Sequence, residues 1–179
     1  MTKAEKEKLC MPRYRFRSVL DVTPEDIKAM GAKAVGLDID NTLCPDGKFR
    51  CIDGVKDWIK SITDAGIPIM IISNCTIMRM LPFARFLKLP YIHLAKKPKP
   101  RALIKAAREM NVDITELAMI GDQLFSDIMA ANRCGAVPVR IDPLPPETTL
   151  YPNYYRIKAK REEKYIKLFE KDHGYGVKK

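Results

Sequence analysis

The chain has 179 residues, of which 46% are hydrophobic and 30% charged, which fits one globular domain with its own core and excludes a disordered chain. No apolar run approaches the roughly 18 residues of a membrane span, the longest compact one being Ile67–Ile72, and no apolar stretch follows the charged start, so neither a transmembrane helix nor a secretory signal is expected. The net charge of +10 is uneven: residues 1–17 carry six basic and two acidic groups, residues 18–150 carry 17 and 16, and residues 151–179 carry nine and four.

In chain order, Thr23-Pro24-Glu25-Asp26 predicts a helix start, with Thr23 as N-cap and Pro24 in the first position, and Gly31 ends that helix. Ala34–Leu37 is a short buried strand running into Asp38. Val55, Trp58, Ile59 and Ile62 recur at helical spacing, so residues 53–62 form a helix with Trp58 in the core. Ile67–Ile72 is β-branched and reads as a strand, with Pro68 near its beginning. Residues 76–87 predict a helix that Pro82 should kink or divide. Strands over 91–94, 117–120 and 136–141 alternate with helices over 100–110 and 125–133. His93 falls inside a strand and reads as a core or rim residue. After Pro143, Pro145 and Pro146, a Lys/Glu-rich helix is expected from Tyr154 to about Lys171, with Tyr155, Ala159, Glu162, Tyr165, Ile166 and Phe169 near one stripe that suits either docking on the body or lying on a membrane surface.

Strands alternating with helices imply βαβ units: an α/β fold, a three-layer Rossmann-like domain on a parallel sheet. The expected division is a basic segment over 1–17, the domain over 18–142, and a Pro-rich linker with a basic helix over 143–179. Cys10, Cys44, Cys51, Cys75 and Cys134 are odd in number and never spaced Cys-x-x-Cys, which argues against a disulfide framework or a structural zinc site and for a reducing cytoplasm.

In an open parallel sheet, ligands bind beyond the carboxyl ends of the strands. The first strand here runs into Asp38-Ile39-Asp40-Asn41-Thr42 and the second into Ser73-Asn74. The third is followed by Lys97-Pro98-Lys99-Pro100, and the fourth by Gly121-Asp122 with Asp127 five residues on. Each piece alone is an ordinary turn, cap or solvated lysine. Together they bring four acids, a hydroxyl and an amine to one rim.

With these four motifs the chain resembles the haloacid dehalogenase superfamily of aspartate-nucleophile phosphotransferases. Residues 12–22, Asp38-Ile-Asp-Asn-Thr-Leu43, Ala95-Lys-Lys-Pro98 and Gly121-Asp-Gln-Leu-Phe-Ser-Asp127 narrow the resemblance to the YqeG-like phosphatases, a group related to the phosphatidylglycerophosphate phosphatases. The similarity spans residues 12–142, and Ser126 stands where the fourth motif often has Thr. The resemblance implies that Asp38 is the nucleophile and that Asp40, at a position often Thr in the superfamily's ATPases, marks a phosphatase.

The chemistry of these side chains agrees with that assignment. A carboxylate at a buried strand end can attack phosphorus, and Asp38 is so placed. Asp40, two residues on, can protonate the leaving oxygen and then deprotonate water. Acids around a phosphate require a cation, and Mg²⁺ would take oxygens of Asp38, the Asp40 carbonyl and Asp122. Ser73, Thr42 and Asn74 would bind the phosphoryl group, Lys97 would offset its charge, and Gly121 and Asp127 would support, Asp127 by orienting Lys97 or a metal-bound water. Cys44 and Cys75 adjoin the first two motifs, where oxidation sensitivity suits them better than nucleophilic chemistry.

The 23 residues over 44–66 and the 22 over 75–96 are too few to house a cap domain, so a capless, open site is expected. Such a site suits a phosphate on a macromolecule or in a bilayer, with phosphatidylglycerophosphate the leading substrate. The alternatives are a protein, nucleic-acid or small-molecule phosphate, or a non-catalytic RNA- or ribosome-binding module on the same fold. The basic ends admit solvated tails or attachment to a polyanion, anionic membrane before nucleic acid, which would hold a cytoplasmic protein peripherally at the inner face of the membrane.

Overall fold

The computed structural model of the chain describes residues 2–172; the last part of the expected basic C-terminal segment, residues 173–179, lies outside them. Its strands are Tyr14–Phe16 (β1), Ala34–Leu37 (β2), Ile69–Ile72 (β3), Tyr91–Ile92 (β4), Leu117–Gly121 (β5) and Val137–Ile141 (β6). Its helices are Lys3–Cys10 (α1), Pro24–Ala29 (α2), Val55–Asp64 (α3), Ile77–Leu87 (α4), Arg101–Glu109 (α5), Met129–Cys134 (α6) and Pro152–Asp172 (α7).

Every residue of β2, β3, β5 and β6 is buried, as a parallel sheet covered on both faces requires. The strand order is β1-β6-β5-β2-β3-β4 and every pairing is parallel. From β2 the chain builds outward through β3 to β4, then returns to lay β5 on the other side of β2. The direction of winding therefore reverses between β2 and β5, with Asp38 and Asp122 just past their carboxyl ends. Ligands of doubly wound sheets bind at this crevice.

Alternate residues of each strand serve opposite layers. Val35, Leu37, Ile69 and Ile71 pack with Ile27 of α2, Trp58 and Ile62 of α3, and Phe83 of α4. Ala34, Met70, Ile72 and Met119 pack with Leu103 and Ala106 of α5 and Ala130 of α6. Each large buried side chain stabilises the fold by about 1.5–3 kcal/mol. The Trp58 indole N–H donates to the Val22 carbonyl at 2.7 Å, which satisfies its polar atom inside that core. The cap on α2 is as expected: Thr23 accepts from the Asp26 N–H at 3.1 Å and Asp26 accepts from the Thr23 N–H at 3.0 Å.

Several local expectations change. Helix α4 runs unbroken through Pro82, the middle residue of its eleven, where the proline forfeits one bond to the carbonyl of the exposed Met78. Strand β3 begins only after Pro68, and β4 ends at Ile92, leaving His93 just outside it. The helix expected over 125–133 opens with a π-turn over Leu124–Ile128. The segment 1–17 supplies both α1 and an edge strand, β1, paired with β6.

Helix α7 packs on the body. Tyr155, Glu162, Tyr165 and Phe169 are buried, whereas Ala159, expected on the same stripe, is exposed and Ile166 half-buried. Tyr165 joins Cys10 of α1 and Leu124, Ile128 and Met129 in a third apolar cluster and meets the Phe125 ring edge-on at 5.3 Å.

Candidate active site

The chain turns sharply after β2. The Asp38 N–H still donates to the Ile120 carbonyl at 3.0 Å, keeping Asp38 in register with β5. Beyond it, Leu43 and Cys44 both donate to the Ile39 carbonyl, a coil that needs the positive φ of 60° adopted by Asn41. Asparagine enters that region more readily than most residues, and here its side chain also accepts from the Asp46 N–H at 3.1 Å.

Lys97 lies at the centre of the site. Its ammonium stands 2.8 Å from Asp38 Oδ1 and 2.6 Å from Asp127 Oδ1, and donates to the Ile72 carbonyl at 2.6 Å. Burial pulls its pKa down, but Asp127 and Asp38 outweigh burial and hold it above the usual lysine range, so it stays charged. Both amide atoms of Asn74, a residue expected on the substrate, are used on the Lys97 backbone: Oδ1 accepts its N–H at 2.8 Å and Nδ2 donates to its carbonyl at 3.0 Å. Asn74 therefore positions Lys97. Ser73 is buried and its Oγ accepts from the Cys75 N–H at 3.3 Å, which leaves the hydroxyl proton to donate. Thr42 is also buried, with no hydrogen bond to its Oγ1.

Asp38, Asp122 and Asp127 are buried together, with one carboxylate oxygen of each within 4.8 Å of the others. Gly121 makes this packing possible, because a Cβ there would collide with the Asp127 carboxylate. Asp127 Oδ2 accepts from the Gln123 N–H at 3.0 Å, so with Lys97 on Oδ1 both oxygens of Asp127 are engaged by the protein. Asp122 differs: its Oδ1 is buried with no hydrogen-bond partner. Burial pushes its pKa up to about 7, reinforced by Asp127 and Asp38 against the pull of Lys158. An unsatisfied carboxylate oxygen beside a second acid is a donor set that fits a hard divalent cation.

Asp40 points to a different partner. Arg79 of α4 holds Asp40 Oδ1 through Nε at 2.9 Å and through Nη2, and lies 3.7 Å from an oxygen of Asp46. Burial raises the Asp40 pKa to about 6 despite the Arg79 hydrogen bond, with Asp38 adding to the rise. A carboxyl group poised there can both give and take a proton near neutral pH. The thiols of Cys44 and Cys75 are pushed up by burial, which keeps them protonated and inert.

Comparison with known proteins finds similar chains. The model of the haloacid dehalogenase-like hydrolases matches residues 48–135. The chain is 29% identical over 138 residues to the protein named "Probable phosphatase YqeG" of Bacillus subtilis, covering 77% of this chain and 80% of that protein. The chain is thus similar to the haloacid dehalogenase-like hydrolases over residues 48–135 and to a probable phosphatase over most of its length. Among solved structures it is similar to a 3-deoxy-D-manno-octulosonate 8-phosphate phosphatase of Moraxella catarrhalis held with magnesium, phosphate and KDO, at 17% identity and a TM-score of 0.50, covering 85% of this chain and all of that one. A cobalt-bound phosphatase of the same name from Haemophilus influenzae gives 18% identity and a TM-score of 0.50 over 78% of this chain and 92% of that one. These two likenesses concern the fold.

Three contacts at the site come from residues the motifs do not mark. Arg79 is one. The other two lie on α7: the Lys158 ammonium is 3.4 Å from Asp122 Oδ2, and the Tyr155 hydroxyl donates to Asp46 Oδ2. Glu162 anchors the same helix by accepting from the Leu124 N–H at 3.1 Å, at the start of the π-turn that carries Asp127. The stripe of Tyr155, Tyr165 and Phe169 was the sequence signal for this docking, and all three are buried.

Proposed function

We propose that this phosphoric monoester hydrolase works through an aspartyl phosphate on Asp38 with the help of Mg²⁺, and that its substrate is phosphatidylglycerophosphate. The observation carrying the mechanism is the buried cluster in which Lys97 bridges Asp38 and Asp127 while Asp122 keeps an unpartnered oxygen. The likeness to YqeG and the absence of an inserted domain between β2 and β4 among the described residues support the substrate.

Asp38, Asp122 and the Asp40 carbonyl would hold the metal, which when bound neutralises the acids and polarises the phosphoryl oxygens. Asp38 attacks phosphorus, the bond to the leaving oxygen breaks, and Asp40 gives that oxygen its proton. Water then attacks the phosphoryl group on Asp38, Asp40 takes the proton back, and inorganic phosphate leaves. Ser73 and Thr42 bind the phosphoryl oxygens, and Asp127 and Asn74 keep Lys97 in place. No described helix is long and apolar enough to cross a membrane. Access to a lipid would come from peripheral contact at the inner face, for which the exposed Lys160 and Lys164 with Ile157 and Leu168 on α7 provide a surface.

A panel of phosphomonoesters with and without Mg²⁺, including an aryl phosphate and phosphatidylglycerophosphate in mixed micelles, tests the reading. A higher kcat/KM for any protein, nucleic-acid or sugar phosphate than for the lipid would remove the proposed substrate. Two variants test the roles. Asp40→Asn lowers kcat by about 10²–10⁴-fold, the usual worth of a general acid and base; a loss of only a few-fold across the pH range would reject the role. Asp122→Ala raises the Mg²⁺ concentration for half-maximal rate at least about tenfold, since even outer contacts of a metal site change affinity by about 10–100-fold. An unchanged metal titration would reject Asp122 as a ligand.

A further inference from the structure

A cleft of about 390 Å³ adjoins the proposed phosphate site, lined on one side by Asn74 and Lys97 and on the other by Lys158 and Arg161 of α7 and Lys6 of α1. This is the size of a small-molecule site, roughly 300–1,000 Å³, and more than a phosphoryl group alone requires. Its charge is one-sided. Lys97 is neutralised by Asp38 and Asp127, and the one carboxylate in the lining, Glu162, is committed to the Leu124 N–H. Arg161 makes no ion pair with any carboxylate among the described residues, and Lys6 rests over the Phe125 ring at 4.7 Å. Two cations brought from opposite ends of the chain therefore face, without acids of their own, a cavity whose wall includes Lys97, the ion-pair partner of Asp38, and Lys158, the ion-pair partner of Asp122.

We infer that this cleft receives the leaving group of the substrate and that Arg161 and Lys6 select a leaving group bearing a second anionic group. The inference rests on the phosphatase reading and deepens it by naming the residues that read the second anion of a phosphomonoester joined through a short polar spacer to a phosphodiester, phosphate or carboxylate. Arg161 offers planar paired donors to such a group, and Lys6 adds a point charge on the same side. Helices α1 and α7 thus contact the part of the substrate that leaves.

The test compares glycerol 1-phosphate with glycerophosphoglycerophosphate, which carries the same monoester plus a phosphodiester and no acyl chains, and with phosphatidylglycerophosphate in mixed micelles. The expected result is a kcat/KM ratio of at least about ten in favour of the soluble bis-anion over glycerol 1-phosphate, expressed in KM, since one charge-assisted contact is worth about tenfold or more. Arg161→Gln lowers that ratio about tenfold at an unchanged Tm, Lys6→Gln lowers it further, and Arg161→Lys restores most of it. Equal ratios in wild type and Arg161→Gln overturn the inference. So does a preference that appears only in micelles, which would make the lipid surface, and not the second anion, the feature recognised. If none of the esters, the aryl phosphate included, is hydrolysed, the phosphatase reading fails instead. Calorimetry then decides the cleft: tighter binding of glycerophosphoglycerophosphate than of glycerol 1-phosphate, lost in Arg161→Gln, upholds it, and equal binding overturns it.

Discussion

Asp38→Asn removes turnover, on the order of 10⁴-fold or more, and leaves the protein folded. An amide does not attack phosphorus, and no other group at the site stands ready to replace it, since the neighbouring thiols are held protonated by burial. The fold survives because Lys97 is not orphaned. Breaking a buried ion pair costs about 3–5 kcal/mol when it strands a charge. Here the ammonium keeps Asp127 and the Ile72 carbonyl, each at 2.6 Å, and Asn can still accept from it. Steady-state rates, thermal unfolding and the capture of a phosphorylated aspartate in the wild type but not the variant together check this. A variant with wild-type kcat would end the assignment of Asp38.

Removal of residues 154–179 destabilises the whole domain and lowers activity on soluble and lipid substrates alike. The segment carries Tyr155, Tyr165 and Phe169, all buried against the body. At about 1.5–3 kcal/mol each these contribute on the order of 5–9 kcal/mol, comparable with the roughly 5–15 kcal/mol that holds a small domain together. The Leu124 N–H would also lose Glu162, its acceptor at the start of the π-turn, and Asp122 would lose Lys158. Phe169→Ala is the milder form, costing about 3–5 kcal/mol in a Tm or denaturant measurement. An unchanged Tm in the truncated chain, with loss confined to activity on vesicles, would make the helix a membrane device and no part of the core.

The strands around the site were legible because β2, β3 and β5 are apolar runs, each stopped by a residue that a core does not tolerate unpaired. Asp38, Ser73 and Asp122 could be placed at those ends from spacing alone, and the four motifs converge as the parallel sheet demands. Strand β1 was not legible: three residues, Tyr14-Arg-Phe16, are too few to show a period, and their basic neighbours suggested a tail. Arg79 looked like any charged residue on a helix, and only folding brings it across from α4 to Asp40, 39 positions earlier in the chain. The contacts of α7 reach further still, 109 positions from Tyr155 to Asp46, and pairings of that range leave no local trace. Asn74 was placed correctly at its strand end, but its choice of the Lys97 backbone over a ligand depends on a loop the sequence does not describe.

The reversal of winding between β2 and β5 also bears on how the molecule comes into being. Leu37 pairs with Ile120, so the two strands whose ends carry Asp38 and Asp122 meet only when a chain segment of 83 positions has closed. Closing so long a loop carries an entropic penalty before any contact rewards it, which makes the step slow and late. Helices α3 and α5, each with a strong apolar face, can gather earlier without producing a site. Refolding from denaturant should therefore regain helical signal ahead of catalysis, and hydrolysis should return together with protection of the β2 and β5 amides from hydrogen exchange.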